Sequence, residues 1–480
     1  MNIISQNFKN VLKNKIKSLI IPNLYSLIDS FVDNLSCNIN GNFDYLSFIY
    51  NSSESIRDSI KLVIISSFEE LDNQFKNSTL RKERYFINKS HVPRTINTIF
   101  GSITFYRTYY ISKFSRNGFF FVDKTFNLPK YDHYDPIVKA IAINNSFQTS
   151  QSQAARDVSA FNNGLLYFID NNITFNIPRQ SVFNWINKWN VPNIIPKSIS
   201  TPDTLYVMAD EKYIGAQDIN NDIMVKCFVA FEDVKHISKN RNSLSNRFVF
   251  STSSKKPWKE FIDLISLRYD FSKLKHICLI GDGGSWIKSG INELRIDSSN
   301  IVDYYLCEFH FKQAIHHITS NKSERKALIT IFNNFSKRDF IDAIDIIIEN
   351  EPHRSDTIKK KRDYILNNYY YIKNMLTSNL GSSMESHISH LIASFFASRP
   401  KGYSTKHIAK YLKLNDYKNN NINIFNLYLK TYKLKKTTTI NSDNYIDYSL
   451  LHTNQLNNIP ILSNGHVIPL YNELNKLAHN

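Results

Sequence analysis

Thr204-Leu-Tyr-Val-Met-Ala-Asp210-Glu-Lys-Tyr213 is the stretch on which the reading of this chain turns. Leu205, Val207 and Ala209 point one way along a strand, and Tyr206, Met208 and Asp210 the other. Both faces are mostly apolar, which predicts a central strand covered on both sides. A carboxylate on such a strand is costly unless something compensates its charge. The pattern recurs at His276-Ile-Cys-Leu-Ile-Gly-Asp282-Gly-Gly, a buried strand ending in an aspartate and a glycine turn. On neighbouring parallel strands the two carboxylates would lie on the order of 5 Å apart. Such a pair stays ionised only with cations between its members. A third acid, Glu385, opens a helix in Gly381-Ser-Ser-Met-Glu385-Ser-His-Ile-Ser-His390.

Working outward, strands are expected at 204–213, 223–233 and 247–252, then a helix from Pro257 to about Tyr269 and a strand at 276–282. A short helix from Ser285, a strand at 301–306 and a helix carrying Phe309, Phe311 and Ala314 follow. Three antiparallel-compatible strands followed by α-β-α-β-α is the order of a ribonuclease-H-like α/β fold, which places the two aspartate-bearing strands side by side. Residues 200–321 form the first part of this core and 379–410 its final helix. Between them, 322–378 read as a helical insertion, strongly charged at Lys359-Lys-Lys-Arg362 and lying near DNA.

Upstream, residues 1–80 carry helical spacing, as in Leu12, Ile16, Leu19 and Ile20. Their expected role is packing or oligomerisation, with DNA contact through Lys9, Lys13, Lys15 and Lys17 as the alternative. Residues 81–130 read as a small β region. Arg94, Arg107 and Arg116 alternate with Tyr106, Tyr109 and Tyr110 there, so a ribbon along a phosphate backbone and a plain aromatic β core are both open. Residues 131–196 are helical. In the helix from Pro178 to Trp189, Val182, Phe183, Ile186 and Trp189 make an apolar stripe, and Arg179, Gln180, Asn184, Asn187 and Lys188 the other side. With the helix at Ser150–Ala160 this suits a helix-turn-helix, in which Arg179, Gln180, Asn184 and Lys188 would meet DNA. Residues 411–480 are Asn-rich and weakly patterned and receive no role.

The totals agree with a polyanionic partner. In 480 residues, 59 Lys and Arg against 42 Asp and Glu give a net charge of +17. Four cysteines (Cys37, Cys227, Cys278, Cys307) make no disulfide framework. No signal peptide appears and the apolar runs are too short to span a bilayer. A soluble, reduced, cytoplasmic and nucleoid-associated protein is expected, without membrane contact.

Three carboxylates of this kind suit two divalent ions, Mg²⁺ or Mn²⁺, held about 4 Å apart for phosphodiester chemistry. Each acid has a plainer reading. Asp210 can be a hydrogen-bonded core aspartate, Asp282 a turn residue, and Glu385 the partner of Ser382 in a capping box. Cys307-Glu-Phe-His310 lacks the second ligand pair of a zinc site and reads as packing against the active site. Arg399 and Lys401, in Ser398-Arg-Pro-Lys-Gly402, are either phosphate contacts or a plain basic loop.

The ordered set Ala209-Asp210-Glu211, Gly281-Asp282-Gly283, Cys307-Glu-Phe-His310, Glu385-Ser-His-Ile-Ser-His390 and Ser398-Arg-Pro-Lys-Gly-Tyr-Ser404 resembles the ISLre-two family of bacterial insertion-sequence transposases. More distantly it resembles the Mutator-type transposases. Thr98-Ile-Phe-Gly101 and Arg107-Thr-Tyr-Tyr110 extend the likeness over roughly 85–410. The resemblance implies a DDE transposase with a ribonuclease-H-like core, the triad Asp210, Asp282 and Glu385, and a supporting pair at Cys307 and His310. It further implies binding of element ends and target DNA by a homo-oligomer. One departure is Glu385-Ser-His, where the family pattern has Glu-Gly-His. A stand-alone structure-selective nuclease and a decayed or domesticated copy that only binds DNA are the alternatives.

Overall fold

The structure, a computed structural model, describes residues 6–38, 45–126, 128–164, 176–195, 199–238, 241–297, 299–378, 391–392, 394–396, 403–434 and 445–447. The chain divides into two compact units, residues 1–191 with 424–440, and residues 192–423 with 441–480. It is a mixed α/β protein with a five-stranded mixed sheet and extensive helical regions.

The first unit opens with two 33-residue helices, α1 (Gln6–Asn38) and α2 (Tyr45–Asn77), which pack on each other. The ribbon expected near residue 94 is a three-stranded antiparallel sheet of β1 (Tyr85–Thr98), β2 (Gly101–Ser112) and β3 (Gly118–Phe120). Gly101, at φ 118°, makes the tight turn between β1 and β2. Ile103, Phe105 and Tyr110 of β2 are fully buried. Of the three arginines left open between a phosphate-facing ribbon and a β core, Arg94 and Arg107 are turned inward. Arg94 donates to the Asp123 carboxylate at 2.7 Å and to the carbonyls of Pro129 and Asp132, and Arg107 donates to the same carboxylate oxygen. Both guanidinium side chains are almost wholly buried, so neither can lie along a nucleic-acid backbone. Lys82, Arg84, Lys89, Lys113 and Arg116 stay exposed around the ribbon, and none of these five makes an ion pair among the described residues.

Three helices follow, α3 (Pro136–Ser146), α4 (Gln151–Asn163) and α5 (Arg179–Lys188). Asp135 caps α3 by accepting from the Ile137 and Val138 amides, with Pro136 at the first helical position. Ser150 caps α4 in the same way through Gln153. Helix Ile424–Leu434 packs against α3, which gives part of the unassigned C-terminal stretch a place in this unit.

In the second unit, β4 (Thr204–Ile214) is central. It pairs antiparallel with β5 (Ile223–Phe231), which pairs antiparallel with the edge strand β6 (Phe248–Thr252). On its other side β4 pairs parallel with β7 (His276–Gly281), and β7 with β8 (Ile301–Leu306). The order is β8-β7-β4-β5-β6. A hairpin at Asp233–Ser238 and Arg241–Ser245, not foreseen from the sequence, leaves the sheet after β5.

Leu205, Val207 and Ala209 face one core with Ile277, Leu279 and Phe228. That face is covered by α6 (Pro257–Ile265), whose Trp258 and Phe261 surround Phe228, and by α7 (Glu308–Ile318). The stretch read as an insertion, 322–378, forms α8 (Lys322–Asn334), α9 (Lys337–Asn350), α10 (Ser355–Asn367) and α11 (Tyr369–Thr377). It shares one continuous core with the sheet, to which it contributes Phe332, Phe340, Ile344 and Ile365.

Helix α12 (Thr405–Asn419) runs along β6 and closes the sheet edge. Asp416 accepts from the Ser251 amide (2.7 Å) and hydroxyl (2.8 Å). Just past the helix, Asn420 accepts from the Val249 amide and donates to its carbonyl. Side chains thus satisfy the outward backbone groups that a bare edge would offer to another chain. Burial holds the Asp416 carboxyl far above the ordinary carboxylate range, although both Ser251 donors pull it down. An acid raised this way contributes stability at low pH that is lost as pH rises through its folded value. The neutral isostere in Asp416→Asn should therefore match or exceed wild-type stability at pH 8 in thermal melts. Asp416→Ala, which orphans two Ser251 donors, should cost about 2–4 kcal/mol. Equal damage from Asn and Ala would refute this account.

Candidate functional site

The site lies where β4 and β7 run side by side. Their parallel register pairs His276 with Thr204 and Ile280 with Met208. The pairing ends there, two residues before Asp210 within β4 and two before Asp282, which lies just past the end of β7. Adjacent strand axes lie about 5 Å apart, so the chain brings the two aspartates to neighbouring strands of the sheet. Both residues are half-buried. Gly281 permits this approach. A Cβ there would sit 2.6 Å from Ile287, 2.8 Å from the Tyr304 hydroxyl and 3.3 Å from the Ala209 carbonyl.

The turn carrying Asp282 is held from several sides. Gly283 takes φ 94°, a conformation side chains disfavour, and its amide donates to the Tyr304 hydroxyl at 2.9 Å. The Gly284 amide donates to Asp282 Oδ1 at 2.8 Å, and the Tyr364 hydroxyl of α10 donates to the Asp282 carbonyl at 2.9 Å. Burial raises both tyrosine hydroxyls, that of Tyr364 to about 12, with the Asp282 charge adding to the effect. They stay protonated across the physiological range. Helix α10 thereby helps to position Asp282.

Glu211, which the sequence did not single out, also acts here. Its carboxylate accepts from the Trp286 indole, whose carbonyl in turn accepts from Trp258 Nε1 at 2.8 Å. Strand alternation signals this role, because consecutive acids on a strand face opposite ways. Glu211 thus braces the turn after Asp282 from the other face. Cys227, paired with Asp210 across the antiparallel ladder, is fully buried. Burial raises its thiol, with the neighbouring Asp416 and Asp210 carboxyls acting in the same direction, which leaves a protonated packing residue.

Cys307 directly follows β8 and is buried, with its amide donating to the Gly281 carbonyl at 2.9 Å. His310 follows one turn into α7 and is half-buried. The pair therefore stands beside the Asp282 strand end. Glu385, Arg399 and Lys401 lie outside the described residues. Among the described residues no three acidic, imidazole or thiol groups gather into a metal site. Asp210 and Asp282 supply hard oxygen donors, a set that fits Mg²⁺ or Mn²⁺ rather than a thiolate-preferring ion. A complete site needs a further acid.

In the first unit, α5 is amphipathic as expected. Val182 and Ile186 are buried, while Arg179, Gln180, Asn184 and Lys188 are exposed together. Asn187, expected among the exposed residues, is half-buried. The connection from α4 to α5 lies largely outside the described residues. No helix among the described residues is long and apolar enough to cross a membrane.

Fold and site define a mixed α/β protein that carries one aspartate within β4 and another just past the end of the neighbouring β7, in a chain that also has a partly basic first unit. The model of the uncharacterised protein family UPF0236 matches residues 50–426, and the chain belongs to that family. UPF0236 protein TTE2489 of Caldanaerobacter subterraneus subsp. tengcongensis is 25% identical over 442 residues, covering 88% of this chain and 89% of its own. UPF0236 protein TTE1650/TTE2708 of the same organism is 24% identical over 488 residues, covering 98% and 94%. Another relative there, 24% identical over 442 residues (88% of each chain), carries eleven designations in its name, from TTE0033 to TTE2212.

Proposed function

We propose that the chain is a DDE-type transposase, which cuts DNA strands at the ends of an insertion sequence and joins them to target DNA. The observation that supports the reading is the parallel register of β4 and β7, whose last pair, Ile280 with Met208, stands two residues before Asp282 and Asp210. The strand order supports it. Three antiparallel strands with two parallel strands added beside the first is the arrangement of a ribonuclease-H-like core. A relative whose name holds eleven designations from one strain is what a self-copying sequence leaves in a genome. The net charge of +17 suits a polyanionic substrate.

In this reading Asp210, Asp282 and Glu385 hold the metal ions, and Gly284, Tyr304 and Tyr364 fix the Asp282 turn. Two Mg²⁺ or Mn²⁺ ions bound there would activate the attacking oxygen and neutralise charge on the phosphoryl group. Cys307 and His310 support the strand end. Arg179, Gln180, Asn184 and Lys188, with Arg399 and Lys401, hold DNA. The purified chain should nick and join a duplex carrying the element ends in Mg²⁺ or Mn²⁺, and should leave a scrambled duplex intact. Cleavage that persists in chelator, or the absence of any cleavage with either metal, would overturn the reading.

A further inference from the structure

The paired helices α1 and α2 are not alike along their length. The half of α1 before residue 18 carries Lys9, Lys13, Lys15 and Lys17, and α2 beyond residue 56 carries most of that helix's charges. Between residues 18 and 32 there is one charged side chain, Asp29, and between 45 and 56 one, Glu54. In these stretches apolar side chains point outward as well as inward. Ile16, Leu19, Ile20 and Leu27 are half-buried, whereas Ile21, Tyr25, Ile28 and Val32 are exposed. The outward set recurs at intervals of four, three and four, which makes one continuous stripe on a helix. On α2, Leu46 is 77% exposed and Ile49 44% exposed. The Phe31 and Phe48 rings, 5.0 Å apart, tie the two helices together at this level.

A stripe of this kind in water calls for a partner. With their exposed apolar neighbours these side chains present an area on the order of the roughly 800 Å² that each partner gives to a stable interface. Near-absence of charge excludes nucleic acid as the occupant here. The spacing suits another helix with the same spacing, and a two-fold arrangement brings the same patch of a second chain onto it.

We infer that two copies of this chain join through the distal halves of α1 and α2, whose two helix pairs form an intermolecular four-helix bundle. The inference does not rest on the catalytic reading, since association is measured without substrate or metal. Sedimentation equilibrium of the full chain at micromolar concentration should give a dimer or a higher even-numbered oligomer. The double variant Ile28→Glu/Val32→Glu should lower the association constant by at least a hundredfold. Leu46→Glu, on the partner helix, should weaken it separately. Circular dichroism and melting of the monomeric variants should retain the remaining structure. A monomeric wild type would overturn the inference and turn attention to residues 448–480 of the same chain as the cover. Undiminished association of both variants would place the interface elsewhere and overturn it equally.

Discussion

Asp282→Asn should abolish metal-dependent nicking, with a fall of roughly 10³-fold or more, while binding of the same duplex in chelator is unchanged. Asparagine keeps the shape and the oxygen that accepts from the Gly284 amide, so the turn should survive. The Tyr364 clamp acts on the backbone carbonyl and is likewise retained. What is lost is one negative charge in a pair whose value depends on both members being ionised around a cation. Asp210→Asn should fall by a similar factor. Asp303→Asn is the control. This residue is half-buried on β8, paired in register with Cys278, four residues short of Asp282 and away from the strand end. It should nick at the wild-type rate. Nicking by Asp282→Asn within tenfold of wild type would remove the aspartate pair from the chemistry.

The sheet was legible because its strands are short apolar runs bounded by polar or glycine residues, as strands covered on both faces should be. The stretches at 204–213, 276–282 and 301–306 each became a strand of that sheet, with ends shifted by at most one residue. Register was partly legible too, since two apolar runs ending in Ala-Asp and Gly-Asp align themselves once placed side by side. The fate of individual charged groups was not. Arg94 and Arg107 sit among tyrosines like many surface arginines, and Asp123, the residue that draws them inward, lies 29 and 16 positions away. Asp416 offers less still. It stands among Asn415, Tyr417 and Lys418 in a polar stretch, yet it is buried because its helix lies against a sheet edge more than 160 residues earlier. The extra hairpin after β5 was missed because Asp233–Ser245 is polar for much of its length, without the alternation that marks a half-buried strand. Outward apolar residues on α1 obey the same helical spacing as inward ones, so periodicity alone could not separate a packing stripe from an association stripe.

Asp123→Ala should destabilise the first unit by about 3–5 kcal/mol, the range for removing one partner of a buried ion pair. One carboxylate oxygen there accepts from both Arg94 and Arg107. Burial lowers the Arg107 guanidinium to about 10, and the neighbouring Arg94 pushes the same way. That value is still well above neutral pH, so both groups stay charged in the fold. Without Asp123, two cations would face each other in a space that admits little water. Arg94 would keep the carbonyls of Pro129 and Asp132, and Arg107 would keep the Phe120 ring, 3.7 Å from its guanidinium carbon. Neither contact supplies a compensating charge. Arg107→Met in the Asp123→Ala background should recover part of the loss, because it removes one uncompensated cation while filling similar volume. Chemical denaturation of the three proteins gives the comparison. A double variant no more stable than Asp123→Ala alone would show that charge burial is not what Asp123 relieves.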